Sequence, residues 1–255
     1  MDNYNYEDLL IALNDVGLKR GDTVFIHSNL GYYGKMQNVK TASDLCNEYV
    51  RAFNEILGNE GTIIVPSFTY SFCHNEVFNV QESVSSCGML SEYIRKLNIN
   101  QRSRDANFSV CGFGKKINDL IKDIPNESFG LNSIWDRMMD VDGKILCMNF
   151  DSGSTFVHYV EQQKNVTYRY KKAFNGMMVD DGEIRRDYFV HFVYDLEKLE
   201  DAPDFRKLDL ACKQEGVSKT VNLGKGNMKL MNCREYYNLI ADNLKSDPRF
   251  LTIKN

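Results

Sequence analysis

Apolar positions along this chain fall into two patterns, one with helical spacing and one of short uninterrupted runs. The helical spacing predicts a first helix over residues 6–16 that ends at Gly17, with an apolar stripe formed by Leu9, Leu10, Leu13 and Val16. The same pattern predicts further helices over residues 41–57, 88–97, 115–123 and 233–245, and one that begins at Ser154 or Thr155. Uninterrupted apolar runs predict strands over residues 23–27, 62–66, 108–113 and 145–150.

Strands that alternate with helices indicate an α/β fold, with a mixed, partly parallel central sheet flanked by helices. Beyond residue 165 the pattern changes, because residues 168–172 and 185–194 alternate as antiparallel strands do, and residues 180–182 have the composition of a hairpin turn. We expect an antiparallel extension of the sheet in the C-terminal third, or a small antiparallel lobe within residues 165–230. We expect one domain over residues 1–255.

Composition limits which binding partners and which cellular compartment we expect for this protein. The 31 basic and 35 acidic residues give a net charge of −4, so nucleic acid is not expected as a partner. No apolar run approaches the ~18 residues of a membrane span, and the first residues are polar and acidic, unlike a secretory leader. The seven cysteines are odd in number and scattered, without a CxxC pair, which is typical of reduced thiols. We therefore expect a cytoplasmic protein with neither a disulfide framework nor a zinc site.

The candidate chemistry begins with Thr155, His158 and Glu161, which follow one another at three-residue spacing after a predicted strand. On a helix this spacing places Glu161 one turn from His158, close enough to orient the imidazole. An α/β protein places its site at the C-terminal ends of strands, where a histidine with an acidic neighbour can serve as a general base. A helix-surface histidine beside a solvated glutamate fits the same spacing, so the spacing alone leaves both interpretations open.

Three further segments fit either a ligand site or an ordinary structural role. Residues 27–34 follow the first strand and contain small residues that can turn backbone N–H groups toward a phosphate, but they also fit a connector. The two arginines within residues 102–104 fit a clamp for a phosphate or carboxylate, or a solvated basic turn. Residues 67–70 follow the second strand and fit a ligand wall or a capping loop.

Two alternative chemistries have weaker support. Cys73 beside His74 is the best candidate for a cysteine nucleophile, but adjacent side chains rarely point at each other and no orienting partner is evident. A metal site built from His74, His158 and His191 would need folding to gather three residues that lack ligand spacing. We therefore expect no metal.

Taken in order, these segments resemble the motifs of the aminoglycoside 3-N-acetyltransferase family. That family has a strand and loop of the form GDxVxVHSSLSxxG, a GT-hydrophobic-PTFT segment, an RSxHPxxSV motif, a GxxSPW-like segment and a TxxHxxE motif after a strand. The corresponding residues here are 21–30 with Gly34, residues 61–70, Arg102, Ser103, Ser109, Val110, Gly130, Ser133, Trp135, Thr155, His158 and Glu161. The match spans roughly residues 8–165, and the ordered set is more specific than any of its members.

The resemblance implies transfer of an acetyl group from acetyl-CoA, the cosubstrate, to an amine of an amino sugar. His158 would be the general base, because a protonated amine is not a nucleophile, and Glu161 would support it. A ternary complex would then react without a covalent enzyme intermediate. The oxyanion donors stay open between the N–H groups of residues 28–30 and those near Thr155. The resemblance further implies that the CoA pyrophosphate binds to the backbone N–H groups of Ser28, Asn29 and Leu30. The same cofactor channel would be lined by Arg102, Ser103 and Ser109, and Thr155 would also bind the cofactor.

Departures from the family pattern bear on the acceptor, for which Tyr70 and Asp195 are the candidate binding residues. Both histidines and the proline of the family's RSxHPxHS pattern are missing from residues 102–109, and no carboxylate follows Tyr70 directly. Of the acids that antibiotic-modifying members carry after a later strand, at most Asp195 or Glu197 remains. A pocket for polycationic aminoglycosides needs carboxylates. We therefore expect the acceptor to be a nucleotide-linked deoxyamino sugar of bacterial surface-polysaccharide synthesis. Its phosphates could contact Arg104, Lys171 and Lys172, and its base or sugar could stack on a tyrosine such as Tyr70 or Tyr168.

Two other functions remain open from the sequence. One is an aminoglycoside 3-N-acetyltransferase of the antibiotic-resistance type, and the other is a non-catalytic relative that only binds CoA. The intact set of Thr155, His158 and Glu161 argues against the second of these.

Overall fold

The computed structural model describes residues 3–98 and 101–253 of the chain. The helices of this part are α1 Tyr6–Val16, α2 Ala42–Leu57, α3 Met89–Leu97, α4 Ile117–Ile121, α5 Ile134–Asp140, α6 Phe156–Gln163, α7 Arg206–Gln214 and α8 Cys233–Ser246. The strands are β1 Asn3–Tyr4, β2 Thr23–Ser28, β3 Lys35–Met36, β4 Thr62–Pro66, β5 Phe78–Asn79, β6 Val110–Gly114, β7 Lys144–Met148, β8 Tyr170–Asp180, β9 Glu183–Val193, β10 Ser218–Leu223 and β11 Gly226–Asn232. Short 3-10 helices lie at Leu30–Tyr33 and Leu199–Asp201.

The central sheet has its strands in the order β10-β11-β7-β2-β4-β6. β2 runs parallel to both β4 and β7, whereas β6 pairs antiparallel with β4, and β11 pairs antiparallel with β7. These pairings confirm the mixed, partly parallel sheet that the sequence predicts. Because β2 and β7 end side by side, with Ser28 opposite Met148, the loops that follow them begin together at one edge of the sheet.

Helices cover both faces of this sheet and bury two apolar clusters. Val24 and Ile26 of β2 point toward the face that α1, α2 and α3 cover, and Phe25 between them points toward the opposite face. On that second face, α5 and α6 bury Trp135 and Phe156 against the sheet. Each fully buried side chain of this size contributes about 1.5–3 kcal/mol relative to leaving it exposed. The helix that carries His158 is therefore anchored by core packing on its other side.

A second sheet is built on a long hairpin. β8 and β9 pair antiparallel along their whole length, from Tyr170 opposite Val193 to the turn at Asp181 and Gly182. Both turn residues have positive φ, 49° and 84°, as a two-residue type I′ hairpin requires. β5 adds to β8 in parallel. The hairpin therefore forms a sheet of its own, and the antiparallel extension of the central sheet is made instead by β11 and β10.

The other differences from the sequence prediction concern short or exposed elements. The sequence pattern predicts neither α5 nor α7, and it misses β10 and β11. β10 is an edge strand with mostly exposed residues, so polar side chains obscure its two-residue period. The helix expected over residues 115–123 is shorter, at Ile117–Ile121. No helix within residues 3–98 and 101–253 is long and apolar enough to cross a membrane, and the seven cysteines are free thiols.

Candidate active site

His158 and Glu161 lie on α6, the helix that follows the central strand β7. Thr155 has helical backbone angles, so α6 begins directly after the small-residue turn of residues 151–154. Nδ1 of His158 lies 2.8 Å from Oε2 of Glu161. The Glu161 side chain is completely buried, whereas 22% of the His158 side chain is exposed. The carboxylate is thus fixed inside the protein while the imidazole remains accessible.

Tyr168 and Arg169 complete the contacts of Glu161, and the sequence pattern predicts neither contact. Nε of Arg169 forms an ion pair with Oε2 of Glu161 at 2.8 Å. The Tyr168 hydroxyl donates to Oε1 over 2.9 Å. The Tyr168 ring is buried in the apolar core, so it is not open to stack on an acceptor. Both residues lie between α6 and β8, five and six residues beyond the end of α6, and no sequence periodicity relates them to Glu161.

The charges around the pair favour a neutral imidazole beside an ionised carboxylate. Burial lowers the pKa of His158 and the Arg169 guanidinium lowers it further, which together outweigh the opposite effect of Glu161. Burial alone would raise the pKa of Glu161, but the charge of Arg169 and the hydrogen bond from His158 bring that pKa below its usual value. At neutral pH the His158 Nδ1–H therefore donates to Glu161, and Nε2 carries a lone pair that can accept a proton.

β2 brings His27 to the start of α6. The backbone N–H of Thr155 donates to Nε2 of His27 over 3.3 Å, and the Thr155 hydroxyl lies 3.4 Å from the same nitrogen. Burial lowers the pKa of His27 to about 4, so the ring is neutral at neutral pH and can accept this hydrogen bond. The rings of Phe25 and Phe150 contact it with centroids 4.9 and 5.9 Å away. His27 thus connects the end of β2 to the start of α6, and its Nε2 accepts the hydrogen bond of the Thr155 N–H.

The loop after β2 has the features of a phosphate-binding segment. The N–H of Asn29 continues the strand pairing by donating to the Met148 carbonyl over 3.0 Å, so this donor is used inside the protein. Leu30 begins a 3-10 helix, whose first N–H groups have no partner within the turn. The start of α3 lies beside this loop, because a Cβ added at Gly88 would lie 3.9 Å from the Ser28 carbonyl, and α3 has no side-chain cap. Two uncapped helix starts fit the binding of an anion such as the CoA pyrophosphate.

Arg102, Ser103 and Ser109 lie inside the protein and hold neighbouring loops together. The Arg102 guanidinium donates to hydroxyl and carbonyl oxygens of a surrounding shell formed by Ser67, Val80, Ser83 and Ser109. Burial lowers the pKa of Arg102 to about 10, so the group stays charged at neutral pH. The Ser103 hydroxyl accepts from the Val110 N–H over 2.9 Å. A direct bond from any of these side chains to the cofactor would have to replace a bond inside the protein.

An aromatic wall leads from His158 toward the second sheet. Phe129 meets the His158 ring edge to face with centroids 5.4 Å apart, and Phe108 lies 5.2 Å from Phe129. Tyr70 and His191 both contact Phe108, at 5.4 and 4.8 Å. Burial raises the pKa of Tyr70 to about 12, so its phenol is neutral at neutral pH. The structure therefore brings Tyr70, a predicted acceptor residue, into the same ring cluster as His158.

Glu127 lies beside α6, where it contacts Gln162, a residue one helical turn beyond His158. The Gln162 amide donates to Oε1 of Glu127 over 2.8 Å, and Lys171 of β8 forms an ion pair with the same oxygen. The side chains of Glu127 and Lys171 are 34% and 55% exposed. This edge of the site therefore presents one negative and one positive group that neutralise each other.

Asp105 and His191 form a second buried contact between a carboxylate and a histidine, behind Phe108. Oδ1 of Asp105 accepts from the backbone N–H groups of Asn107 and Phe108, over 2.9 and 2.8 Å, and lies 3.9 Å from Nε2 of His191. Nδ2 of Asn107 lies 3.1 Å from the same ring nitrogen. In the described part of the chain, no group of three or more His, Cys, Asp or Glu side chains is arranged to hold a metal ion.

Asp195 and the alternative nucleophile Cys73 lie outside this arrangement. Asp195 follows β9, accepts from the Glu197 N–H over 3.1 Å and pairs with Lys198 at 3.6 Å. Within residues 3–98 and 101–253, no hydrogen bond or ion pair joins Asp195 to the histidine–glutamate pair. Burial raises the pKa of Cys73 to about 11, so its thiol is protonated and unreactive at neutral pH. His74 contacts the ring of Tyr70.

Comparisons with known proteins bear on the family and the fold of this chain. The model of a family described as aminoglycoside 3-N-acetyltransferase matches residues 25–245 of the chain. Among curated proteins, the SPbeta prophage-derived aminoglycoside N(3')-acetyltransferase-like protein YokD of Bacillus subtilis (strain 168) is 24% identical over 254 residues. That alignment covers 88% of this chain and 86% of YokD.

Solved structures share the fold at low sequence identity. Aminoglycoside acetyltransferase AAC(3)-Xa superposes with a TM-score of 0.81 at 18% identity, over 96% of this chain and 93% of that one. AAC-IIIb, solved as a binary complex with CoASH, gives a TM-score of 0.81 at 16% identity, over 99% of both chains. The likeness confirms the α/β fold, and the family model covers most of the sequence. The chain therefore belongs to the aminoglycoside 3-N-acetyltransferase family and is an acetyl-CoA-dependent N-acetyltransferase.

Proposed function

We propose that this protein acetylates an amine of an amino sugar by direct transfer, with His158 as the general base. The observation that supports this most is the pairing of a neutral, accessible imidazole with a completely buried carboxylate at 2.8 Å. Glu161 fixes the tautomer and the orientation of the ring before any substrate binds, so Nε2 is the nitrogen that faces the acceptor. A base placed in this way accelerates a reaction by about 10²–10⁴-fold.

When the acceptor reacts as the neutral amine, the proton balance of the transfer needs only this base. Acetyl-CoA, when bound, supplies a thioester carbonyl to the acceptor amine. The amine nitrogen forms the new amide bond as the C–S bond breaks, and its proton passes to Nε2 of His158. The imidazolium is stabilised by Glu161 and returns its proton to the departing thiolate. A covalent enzyme intermediate is not required, in keeping with the protonated state of Cys73.

The loop after β2 and the start of α3 hold the CoA pyrophosphate in this proposal. Ser28 and Leu30 contribute at the loop, while Asn29 fixes its position through the bond from its N–H to the Met148 carbonyl. The N–H of Thr155 is bonded to His27 within the protein, so it would have to exchange that bond to stabilise the oxyanion of the transition state. Three further residues act as supports of this channel through their internal bonds, namely Arg102, Ser103 and Ser109.

The acceptor that we propose is a nucleotide-linked deoxyamino sugar, of the kind used in bacterial surface-polysaccharide assembly. The carboxylates near the aromatic wall support this choice, because Glu161 and Glu127 each have a cationic partner within the protein. A polycationic acceptor would have to displace such partners. Lys172 of β8 offers a cation for the phosphates of the acceptor, and Tyr70 offers a ring for stacking. Lys171 would have to leave its ion pair with Glu127 to contact a phosphate.

An aminoglycoside is the second candidate acceptor. The description of the matching family names this class, and the related acetyltransferase AAC(3)-IVa has been solved in complex with gentamicin. The exposed carboxylates of Glu127 and Asp195 are the groups that would meet its ammonium ions.

A single assay separates these acceptors. Free-thiol release from acetyl-CoA is measured with a panel of nucleotide-linked amino sugars and a panel of aminoglycosides, with the His158→Asn variant as the matched control. We expect turnover with nucleotide-linked amino sugars that the variant lacks. Turnover with aminoglycosides alone would overturn the proposed acceptor. Absence of turnover with both panels, together with intact CoA binding by calorimetry, would favour a protein that only binds CoA.

A further inference from the structure

Arg169 shares the carboxylate oxygen on which the base depends. Its Nε lies 2.8 Å from Oε2 of Glu161, the atom that Nδ1 of His158 also approaches to 2.8 Å. The Arg169 side chain is only 4% exposed and that of Glu161 is not exposed at all. The site therefore contains one buried anion with two neighbours that are able to carry a positive charge.

A buried carboxylate requires a counter-charge, and which neighbour supplies it decides whether His158 is a base. If His158 supplied the charge, its ring would be protonated and Nε2 would have no lone pair for the acceptor's proton. With Arg169 in place, Glu161 is already neutralised, and His158 needs only to donate its Nδ1–H.

We propose that Arg169 is a positioning residue that supplies the counter-charge of Glu161 and thereby keeps His158 neutral, with Nε2 open to the acceptor amine. The proposal rests on the role of His158 in the proposed function. The second sheet aims the guanidinium at α6, because its Nη1 donates to the Phe192 carbonyl over 3.2 Å and its centre lies 5.6 Å from the Tyr194 ring centroid.

The other groups that face His158 do not replace this charge. Glu161 lies on the same helix and favours the protonated ring, whereas His191 of β9 opposes protonation only when it is itself charged. Burial and the neighbouring Glu161 raise the pKa of Tyr168, so its phenol stays neutral. Of the residues that act on the ring, Arg169 is the group with a permanent positive charge.

The test is a titration of the His158 ring by NMR in the full-length protein without substrate, with the signal assigned from its loss in His158→Asn. In Arg169→Gln the titration midpoint moves to higher pH, because the carboxylate takes its counter-charge from the imidazole. An unchanged or lower midpoint overturns the proposal. This measurement does not depend on acetyl transfer, so failure of the proposed function leaves its result interpretable.

Kinetics supply the second measurement. In Arg169→Gln the acid limb of the kcat/KM profile moves to higher pH, and below that limb each pH unit of displacement lowers kcat/KM about tenfold. A purely structural role would lower activity and leave the acid limb in place, which would count against the proposal.

Two matched variants separate charge from shape. Arg169→Lys keeps the charge, and Tyr168→Phe removes the other hydrogen bond to Glu161 without changing any charge, so both should titrate near wild type. An upward shift of equal size in Arg169→Lys overturns the counter-charge mechanism. If Arg169→Gln does not fold, the titration of His158 is compared between Glu161→Gln and the double variant Glu161→Gln/Arg169→Gln, which lacks both buried charges. The midpoint should be higher in the double variant, and equal midpoints overturn the proposal.

Discussion

Replacing Glu161 by glutamine would remove one charge from the centre of the site while keeping its shape. The amide oxygen can take the place of Oε2 and accept from His158, and the amide nitrogen can donate to the Tyr168 hydroxyl after the O–H rotates. The tautomer and the orientation of the imidazole are therefore retained. What the variant loses is the negative charge that stabilises the imidazolium as the amine gives up its proton.

The size of the effect follows from the geometry of the pair. Contact between Nδ1 and Oε2 at 2.8 Å places the two charge centres about 4 Å apart, where opposite unit charges attract by about 4 kcal/mol at an effective dielectric constant near 20. If between half and all of the proton's charge has reached the ring in the transition state, the barrier rises by about 2–4 kcal/mol, so kcat falls about 30- to 1,000-fold. Because Glu161 raises the pKa of His158, the acid limb of the pH profile moves to lower pH in this variant.

Thiol release from acetyl-CoA at saturating acceptor, followed across the pH range in which histidine titrates, measures both effects. Tyr168→Phe is the matched control, since it deletes the other hydrogen bond to Glu161 and leaves every charge in place. Its kcat should stay close to wild type, and both variants should bind CoA normally by calorimetry. A kcat near wild type in Glu161→Gln, with the acid limb unmoved, would refute the electrostatic role of the carboxylate.

Other contacts of the site lead to separate predictions. His158→Asn should lower kcat by about 10²–10⁴-fold with CoA affinity unchanged by calorimetry, and near-wild-type turnover would remove His158 from its role. His27 has a native pKa of about 4, below the ordinary 6.5, so its contribution to stability is present above pH 6.5 and is lost as the pH falls toward 4. On acidification the free energy of unfolding, measured with urea, should fall by up to about 3 kcal/mol because of His27, and it should fall less in His27→Gln. An equal fall in the variant would contradict this role of His27. Arg102→Lys should cost about 1–3 kcal/mol, because lysine leaves buried carbonyl oxygens without donors. A loss of CoA affinity at unchanged stability would instead make Arg102 a cofactor ligand.

The parallel part of the sheet could be predicted because its strands are buried on both faces. β2, β4 and β7 therefore appear in the sequence as uninterrupted apolar runs. α1 has a capping box at its start and Gly17 in left-handed conformation at its end, and both are visible in the sequence. The polar, exposed residues of β10 hide its strand pattern. The place of β11 depends on pairing with β7, and that of β10 on pairing with β11, and no local sequence pattern shows such distant pairings.

The same distinction between local and distant contacts separates the predicted and unpredicted parts of the site. His158 and Glu161 are within one helical turn, so their contact follows from spacing alone. Arg169 reaches Glu161 from outside α6, and its direction depends on the hairpin beyond it. For Arg102, the sequence shows a cation beside hydroxyls but not whether its donors meet a ligand or, as in the structure, carbonyl groups of the protein.

The site is formed by residues from two sheets, and this arrangement couples the basicity of His158 to the residues that contact the acceptor. His158 lies on α6, a helix packed on the central sheet. The Arg169 guanidinium is oriented by the second sheet, because it donates a hydrogen bond to the Phe192 carbonyl of β9. Lys171, two residues further on, forms the ion pair with Glu127 at the exposed edge. A substitution that shifts the start of β8 therefore acts on both positions at once, and it should change the acid limb of the pH profile together with acceptor preference. A substitution confined to the Glu127 side chain leaves the guanidinium in place and should change preference alone.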